Sequence, residues 1–246
     1  KSGFSKDIIV VPHGHDPAVF KKMDRAEILK KPEWKSFPKD KFVFGFVGGW
    51  AQGENDRKDL GLALRAYCKV FKKDDPVLFV VKVNMAYNPA LNLADAIAAL
   101  NLPKPCPDII AFTDDMSDES RAELYNLMDA HVMPTRGEAF GLTMLEAMAC
   151  GTPNIATAWG GQTDFLNGEN SWLIGGEFRK ATDAHVMYEG VNWCFPSEDS
   201  FAAAMRDAFM DRDKLGERAQ QGLIDAKCWT WNASAVKLLE VLNRKP

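Results

Sequence analysis

Apolar residues along this chain form short continuous runs that alternate with longer amphipathic segments. The runs are rich in β-branched and aromatic side chains, which is typical of strands buried on both faces of a sheet. The pattern predicts six strands, at residues 8–11, 42–47, 77–83, 108–112, 130–134 and 154–158.

The segments between the runs show helical periodicity. In the fourth of them, Leu142, Leu145, Glu146 and Ala149 recur at spacings of three and four. The segment before it is expected to begin at Ser117 or Asp118, because serine and aspartate favour the first positions of a helix. Helices are predicted at about 58–72, 91–100, 118–128 and 143–150, and the text from about 197 onward is helical, whereas residues 175–196 look irregular.

Buried strands separated by single helices predict an α/β fold, a Rossmann-like doubly wound parallel sheet with extra C-terminal helices. We expect residues 1–246 to form one domain, with a helical closing segment at about 197–246. Ligands of such sheets bind at the carboxyl ends of the strands. The loops that matter are therefore 48–58, 84–90, 113–117, 135–143 and 159–164.

Composition narrows the function classes. The net charge is −4 and the pI is about 5.7, which argues against a broad nucleic-acid-binding surface but leaves room for a local phosphate site. The five cysteines show no CxxC pattern and no paired spacing, so we expect reduced thiols in a cytoplasmic protein. No apolar run approaches the roughly 18 residues of a membrane span, and no signal peptide is recognised.

The first loop of interest reads GGWAQGENDRKDLGLALRAY. Gly48, Gly49 and Gly53 let the backbone turn sharply and approach a ligand closely. Arg57 and Lys58 stand where the next helix starts, so its amides and two cations would favour an anion there. The alternative is a glycine-rich surface turn followed by a solvated basic pair. The loop is neither a GxGxxG nor a Walker A sequence.

The second loop of interest reads TRGEAFGLTMLEAMACGTP. Glu138 belongs to the loop, and Glu146 falls about one turn into the helix. Carboxylates at such a junction can accept hydrogen bonds from the vicinal hydroxyls of sugars and riboses, and Phe140 and Gly141 suggest close backbone approach. The alternative is an acidic first turn that complements the helix dipole.

Other polar residues have simpler interpretations. Asp114 and Asp115 occupy a carboxyl-end loop, but no His or Cys lies nearby to favour a metal site. His131 falls inside a strand and is expected to pack in the core. His13 and His15 lie in the loop after the first run and could face a cleft. No Ser-His-Asp or Cys-His arrangement can be argued from spacing.

Taken together, the motifs resemble the C-terminal, nucleotide-sugar-binding half of glycosyltransferase family 4, a retaining family with the GT-B fold. The resemblance rests on VVPHGHDPAVF (10–20), on FVGGW followed by RKDLGLALRAY, and on the Trp231-containing tail. Its most specific part is the block from residue 115 to 166, which contains a glutamate-x7-glutamate motif at Glu138 and Glu146. Each segment alone is a moderate signal of the family, whereas their order and spacing together are a strong one.

The resemblance implies a role for each matching position. The donor would be a UDP-, GDP- or ADP-sugar, bound without a cofactor or divalent metal, and the 113–117 loop would lie against the base. Glu138 would contact hydroxyls of the transferred sugar, Glu146 would hold the ribose, and Arg57 and Lys58 would neutralise the diphosphate leaving group. The residues expected to bind the donor are Gly48, Gly49, Met116, Phe140, Gly141, Leu142 and Glu146, and those expected at the reaction centre are Glu138, Arg57 and Lys58.

The sequence also departs from the family pattern. Trp50 stands where an arginine is frequent, and His15 replaces the usual valine. The matching segments cover only the family's C-terminal half, so we expect a fragment that lacks the N-terminal, acceptor-binding domain and that binds donor but transfers poorly or not at all. The acceptor, whether glycan, lipid or small molecule, stays open, as does peripheral membrane attachment of the full-length protein. Alternative functions are a GT-B-fold sugar-nucleotide epimerase and a non-catalytic nucleotide-sugar-binding domain.

Overall fold

The fold was established from a computed structural model of the chain. It describes residues 8–51, 55–85, 90–181 and 188–243. Gly53 of the first glycine-rich loop and residues 86–89 of the expected 84–90 loop lie outside the described residues.

A six-stranded parallel sheet forms the centre of the domain, with strand order β3-β2-β1-β4-β5-β6. The order runs outward in both directions from β1 and β4, as it does in a doubly wound sheet. The strands are β1 Phe42–Gly48, β2 Val77–Val83, β3 Ile109–Phe112, β4 Ala130–Met133, β5 Asn154–Thr157 and β6 Ser171–Ile174. Five of the six predicted strands are therefore confirmed.

Helices connect the strands and close the chain. Ser117 caps its helix as expected, because its side chain accepts a hydrogen bond from the Ser120 amide. The helices are α1 Arg25–Ile28, α2 Leu60–Val70, α3 Leu93–Ala99, α4 Asp118–Leu127, α5 Leu142–Ala149, α6 Glu198–Met210, α7 Arg212–Asp225 and α8 Trp231–Leu242. All four predicted connecting helices and the helical closing segment are confirmed.

Burial on both faces explains why the central strands read as continuous apolar runs. All seven residues of β2 are buried, and six of the seven in β1 are. Aromatic side chains from β1 pack against α2, with the Phe44 ring 6.1 Å from that of Tyr67. Phe44 is fully buried, and we expect Phe44→Ala to lower the free energy of unfolding by about 3–5 kcal/mol, as measured by denaturant titration.

The predicted strand at 8–11 is wrong. These residues form no regular structure, and Ile8, Ile9 and Val10 are exposed. The segment first pairs with the rest of the chain further on, at a bridge between His15 and Thr230. An apolar run predicts burial only where a neighbouring element covers it, which the run itself does not reveal.

The segment expected to be irregular is partly a second sheet. β7 Gly176–Lys180 and β8 Asn192–Pro196 pair antiparallel, and their register places Phe178 opposite Cys194. All five residues of β7 are exposed, so the strand lacks the apolar run that marks the others. β6, just before it, was not predicted either, because its apolar run is only three residues long, from Trp172 to Ile174.

Two of the cysteines correct the expectation of reduced thiols. Cys68 on α2 and Cys106 before β3 form a disulfide, with Cα atoms 5.2 Å apart, while Cys150, Cys194 and Cys228 are free. The partners are 38 residues apart in sequence, so only the fold brings them together. The prediction of a cytoplasmic protein rested on all five cysteines being reduced, so the disulfide removes that support.

Among the described residues, no helix has the length and apolar character needed to cross a membrane.

Candidate functional site

A cavity of about 710 Å³ opens at the carboxyl ends of the central strands. Its volume falls within the range of small-molecule sites, and its position is where doubly wound sheets bind ligands. The cavity is lined by all ten residues that the sequence singled out: Gly48, Gly49, Arg57, Lys58, Met116, Glu138, Phe140, Gly141, Leu142 and Glu146. Their individual roles stay predictions.

Hydrogen bonds connect the loop after β1 to the loop after β4. The Arg136 amide donates to the Arg57 carbonyl at 2.8 Å, and the Arg57 guanidinium donates to the Gly137 carbonyl. The loop after β5 adds a third connection, in which the Gly161 amide donates to the Glu138 carbonyl at 2.9 Å. A Cβ at Gly161 would lie 2.0 Å from the Ala139 carbonyl oxygen, so this close approach requires glycine.

Glu138 forms ion pairs with both cations of the first loop. Its carboxylate contacts the Lys58 ammonium directly and lies 3.5 Å from the Arg57 guanidinium. Burial alone would raise the pKa of Glu138, but the two positive charges outweigh it and hold the pKa below the ordinary value. Burial also lowers the pKa of the Lys58 ammonium. The acid is therefore ionised and shared between cations, which differs from an exposed acidic helix start.

The amides at the start of α2 are already bonded, contrary to the expectation that they bind an anion. The Asp56 carboxylate accepts from the amides of Lys58 at 3.1 Å and Leu60 at 3.0 Å, and Asp59 accepts from that of Leu62 at 3.2 Å. Burial, followed by the nearby charge of Asp59, raises the pKa of Asp56 to about 7. Arg57 and Lys58 of the first loop place two cationic side chains in the cavity lining, where they can attract an anion.

The start of α5 is open instead. Gly141 occupies the cap position with φ at 99°, and no side chain caps the helix among the described residues. Leu142 and Thr143 of the first turn line the cavity. The Thr143 hydroxyl is buried and has no hydrogen-bond partner within the described part of the chain. Unbonded amides and a hydroxyl at a helix N-terminus form a site suited to an anion.

Glu146 lies deeper in the same cavity and is 8% exposed. Its carboxylate accepts hydrogen bonds from the Tyr125 hydroxyl at 3.0 Å and from Arg121 at 3.2 and 3.3 Å. Burial raises the pKa of Glu146, although the charge of Arg121 opposes that effect. One face of the carboxylate is thereby held in place while the residue still reaches the cavity.

The expectation that His13 and His15 could both face a cleft is correct for His13 and wrong for His15. His13 lines the cavity and stacks on Phe140, with ring centroids 5.3 Å apart. His15 instead turns inward, where its Nδ1 lies 2.7 Å from the Trp229 carbonyl. His131 is fully buried, its Nδ1 donates to the Asn154 side-chain oxygen at 2.8 Å, and burial lowers its pKa to about 4. His131 is therefore a core residue, as predicted.

Several lining residues were missed from the sequence, among them Trp50, Lys82, Arg121 and Thr143. Arg121 sits in the first turn of α4, where the sequence offers only a capping pattern, and no local signal joins it to Glu146. Lys82 is hidden within an apolar strand. The Asp114–Asp115 pair belongs to no group of three or more metal-ligating side chains in the described ranges.

A doubly wound sheet whose carboxyl edge carries a cavity lined by cationic and carboxylate side chains is typical of the nucleotide-binding class of α/β domains. The sequence model of the family Glycosyl transferases group 1 matches residues 41–188. That match covers more than half of the chain, so the chain belongs to this family of transferases.

Individual relatives agree with this family. The chain is 28% identical over 241 residues to the D-inositol 3-phosphate glycosyltransferase of Stackebrandtia nassauensis, covering 94% of this chain and 47% of that protein. A glycosyltransferase from Rickettsia africae superposes with a TM-score of 0.73 at 18% identity, covering 96% of this chain and 58% of the other. HepE from Anabaena, solved with UDP and glucose, gives 0.68 at 18% identity, with coverages of 94% and 55%.

These structures share the GT-B fold, and the similarity to them establishes the same architecture here. The chain spans about half the length of the curated relative that it matches along most of its own sequence.

Proposed function

We propose that this chain binds the nucleotide-sugar donor of a retaining hexosyltransferase. The observation that carries the proposal is the meeting, in one cavity, of an uncapped helix N-terminus, two cationic side chains and two separately held glutamates. The helix start and the two cations match the diphosphate of a nucleoside diphosphate sugar, and the two glutamates match its ribose and its transferred sugar.

The diphosphate would lie between the start of α5 and the Arg57–Lys58 pair. Amides of Leu142 and Thr143 would donate to phosphate oxygens, and the Thr143 hydroxyl would gain the partner that it lacks. The two cations would stabilise the negative charge that develops on the leaving group. Because the protein supplies these charges, the proposal requires neither a divalent metal nor another cofactor.

Glu146 would accept hydrogen bonds from the ribose hydroxyls. Arg121 and Tyr125 fix one side of its carboxylate, so the remaining lone pairs point in a set direction. Prior fixing of this kind reduces the entropy lost when the ligand binds.

Glu138 would accept hydrogen bonds from hydroxyls of the transferred sugar. Its contact with Lys58 joins the sugar end of the cavity to the phosphate end. As the bond between sugar and diphosphate lengthens, Lys58 would shift toward the leaving phosphate while Glu138 stabilises the positive charge that grows on the sugar ring. The acceptor would then attack the face from which the diphosphate departs.

Transfer by the whole protein would need a further, acceptor-binding domain, which is the N-terminal domain of the family. Helix α8 supports this proposal, because Val236, Leu239 and Leu242 along it are exposed. An apolar surface of this kind commonly packs against another element. The acceptor would be a glycan, a lipid or a small molecule.

A calorimetric titration with UDP, GDP and ADP tests donor binding. We expect at least one of them to bind, and Glu146→Gln to weaken that binding about tenfold or more, since hydrogen bonds to a charged group contribute roughly 1.5–3 kcal/mol. Glu123→Gln is a matched control, because Glu123 is 6% exposed, bonds to Lys31 and Trp34, and lies on α4 outside the cavity lining.

Equal affinities of both variants and the wild type would contradict the role of Glu146. Change of sugar identity on a UDP-sugar without acceptor would favour an epimerase. Nucleotide binding without turnover by the full-length protein, over a broad acceptor panel, would favour a non-catalytic domain.

A further inference from the structure

Lys82 is a cation within an otherwise apolar, fully buried strand. It is the sixth residue of β2, whose sequence is VLFVVKV, and it is 5% exposed. Lysine is almost never buried to this degree without a partner. Among the described residues, its ammonium donates to one acceptor, the Val83 carbonyl at 3.0 Å, which leaves two of its three N–H groups for another acceptor.

The ammonium of Lys82 faces the cavity together with residues from the loop after β3. Lys82 pairs in register with Phe112, and Asp115 and Met116 follow that strand and line the same cavity. Burial lowers the pKa of Lys82, while the negative charges of Asp115 and Asp114 raise it. The cavity lining thus contains a donor at the end of β2 and an acceptor in the loop after the neighbouring strand β3.

The position of this pair relative to the other groups indicates which part of a ligand it would meet. Arg121 hydrogen-bonds to Glu146 and also carries a charge that acts on Lys82. Under the proposed function, on which this inference rests, the phosphates lie at α5 and the ribose at Glu146. The next group along the ligand, toward β2 and β3, is the base.

We propose that Lys82 and Asp115 select the base of the donor by its lactam edge, a carbonyl oxygen next to a ring N–H. Uracil carries this edge as O4 and N3–H, and guanine carries it as O6 and N1–H. The ammonium of Lys82 donates to the carbonyl oxygen, and the carboxylate of Asp115 accepts from the ring N–H.

Cytosine and adenine present the reverse pattern, an amino group next to a ring nitrogen lone pair. With these bases the amino group would face the ammonium and the lone pair would face the carboxylate. The buried Lys82 ammonium would then lose its water without gaining a bond, and a buried polar group left unpaired gives strong discrimination. Met116 supplies an apolar contact that is the same for every base.

The test is a calorimetric titration with UDP, CDP, IDP, ADP and GDP. UDP and CDP differ only at this edge, as do IDP and ADP, and GDP against IDP isolates the 2-amino group. We expect the wild type to bind UDP at least about tenfold more tightly than CDP, or IDP at least about tenfold more tightly than ADP. The ratio of UDP to GDP affinity identifies which lactam base the site takes.

Two variants should remove the discrimination. Lys82→Met and Asp115→Asn are each expected to bring the affinity ratio within a matched pair to about threefold or less. Asp114→Asn removes a carboxylate whose charge also acts on Lys82 but which lies outside the cavity lining, and it is expected to keep the ratio. Asp115 is exposed, so its variant provides the same readout if Lys82→Met does not fold.

The outcomes separate this inference from the function on which it rests. Equal binding within both pairs by the wild type, or an equal loss of both members in the variants, would overturn base selection while leaving donor binding intact. Failure of all five nucleotides to bind would overturn both.

Discussion

Replacing Arg57 and Lys58 together by methionine is expected to weaken binding of the preferred nucleoside diphosphate at least about 100-fold. Each hydrogen bond between a charged group and phosphate contributes roughly 1.5–3 kcal/mol, and the two losses combine. The variant also leaves the Glu138 carboxylate without its cations, and this charge would repel the diphosphate. The measurement is a calorimetric titration at two salt concentrations, and the variant should show the weaker dependence on salt.

Helix α2 offers a matched control for this double change. Arg65 and Lys69 lie on the same helix and pair with Glu198 in the same manner, but they do not line the cavity. Arg65→Met with Lys69→Met alters the net charge equally and is expected to leave the affinity within about twofold of the wild type. An Arg57–Lys58 double variant that folds and binds the nucleotide as tightly as the wild type would contradict the phosphate site.

Replacing Glu138 by glutamine should separate nucleotide binding from sugar recognition. In the full-length enzyme we expect transfer to fall about 100-fold or more, the size of effect seen when a group that stabilises transition-state charge is lost. In this chain, affinity for the nucleoside diphosphate itself should stay constant or rise, because Lys58 no longer shares its charge with a carboxylate. The advantage of the nucleotide sugar over the nucleotide should disappear.

Glu198 provides the comparison, since its carboxylate also contacts an arginine and a lysine. Glu198→Gln is expected to change neither transfer nor the affinity ratio of nucleotide sugar to nucleotide. If Glu138→Gln transferred sugar at the wild-type rate, Glu138 would be a structural partner of Lys58 and the sugar contact would be wrong.

Much of the fold could be predicted because the central strands are buried on both faces. β2 was predicted with the bounds that the structure shows, since all of its residues face the core. The same reasoning wrongly predicted a strand at residues 8–11, where the apolar run is exposed. It could not predict β7, because the residues of that strand are exposed and show no apolar pattern.

The cavity itself could be predicted, but its internal contacts could not. Fold topology alone places the loops holding Arg57 and Glu138 at one edge of the sheet. Which helix start is open depends on how Asp56 turns back onto α2, and that requires backbone geometry. Ion pairs between residues far apart in sequence, such as Arg121 with Glu146, cannot be predicted from residue spacing.

The most direct test of donor binding is a series of calorimetric titrations of the wild-type chain with ligands that differ in their number of phosphates. Uridine, UMP and UDP, and the corresponding guanine and adenine series, are titrated under identical conditions. If the cavity binds the diphosphate of a sugar donor, affinity in at least one series should rise with each phosphate, and the diphosphate should bind about tenfold or more tightly than the monophosphate. Binding of none of the three diphosphates, or an affinity independent of the number of phosphates, would contradict the proposed function.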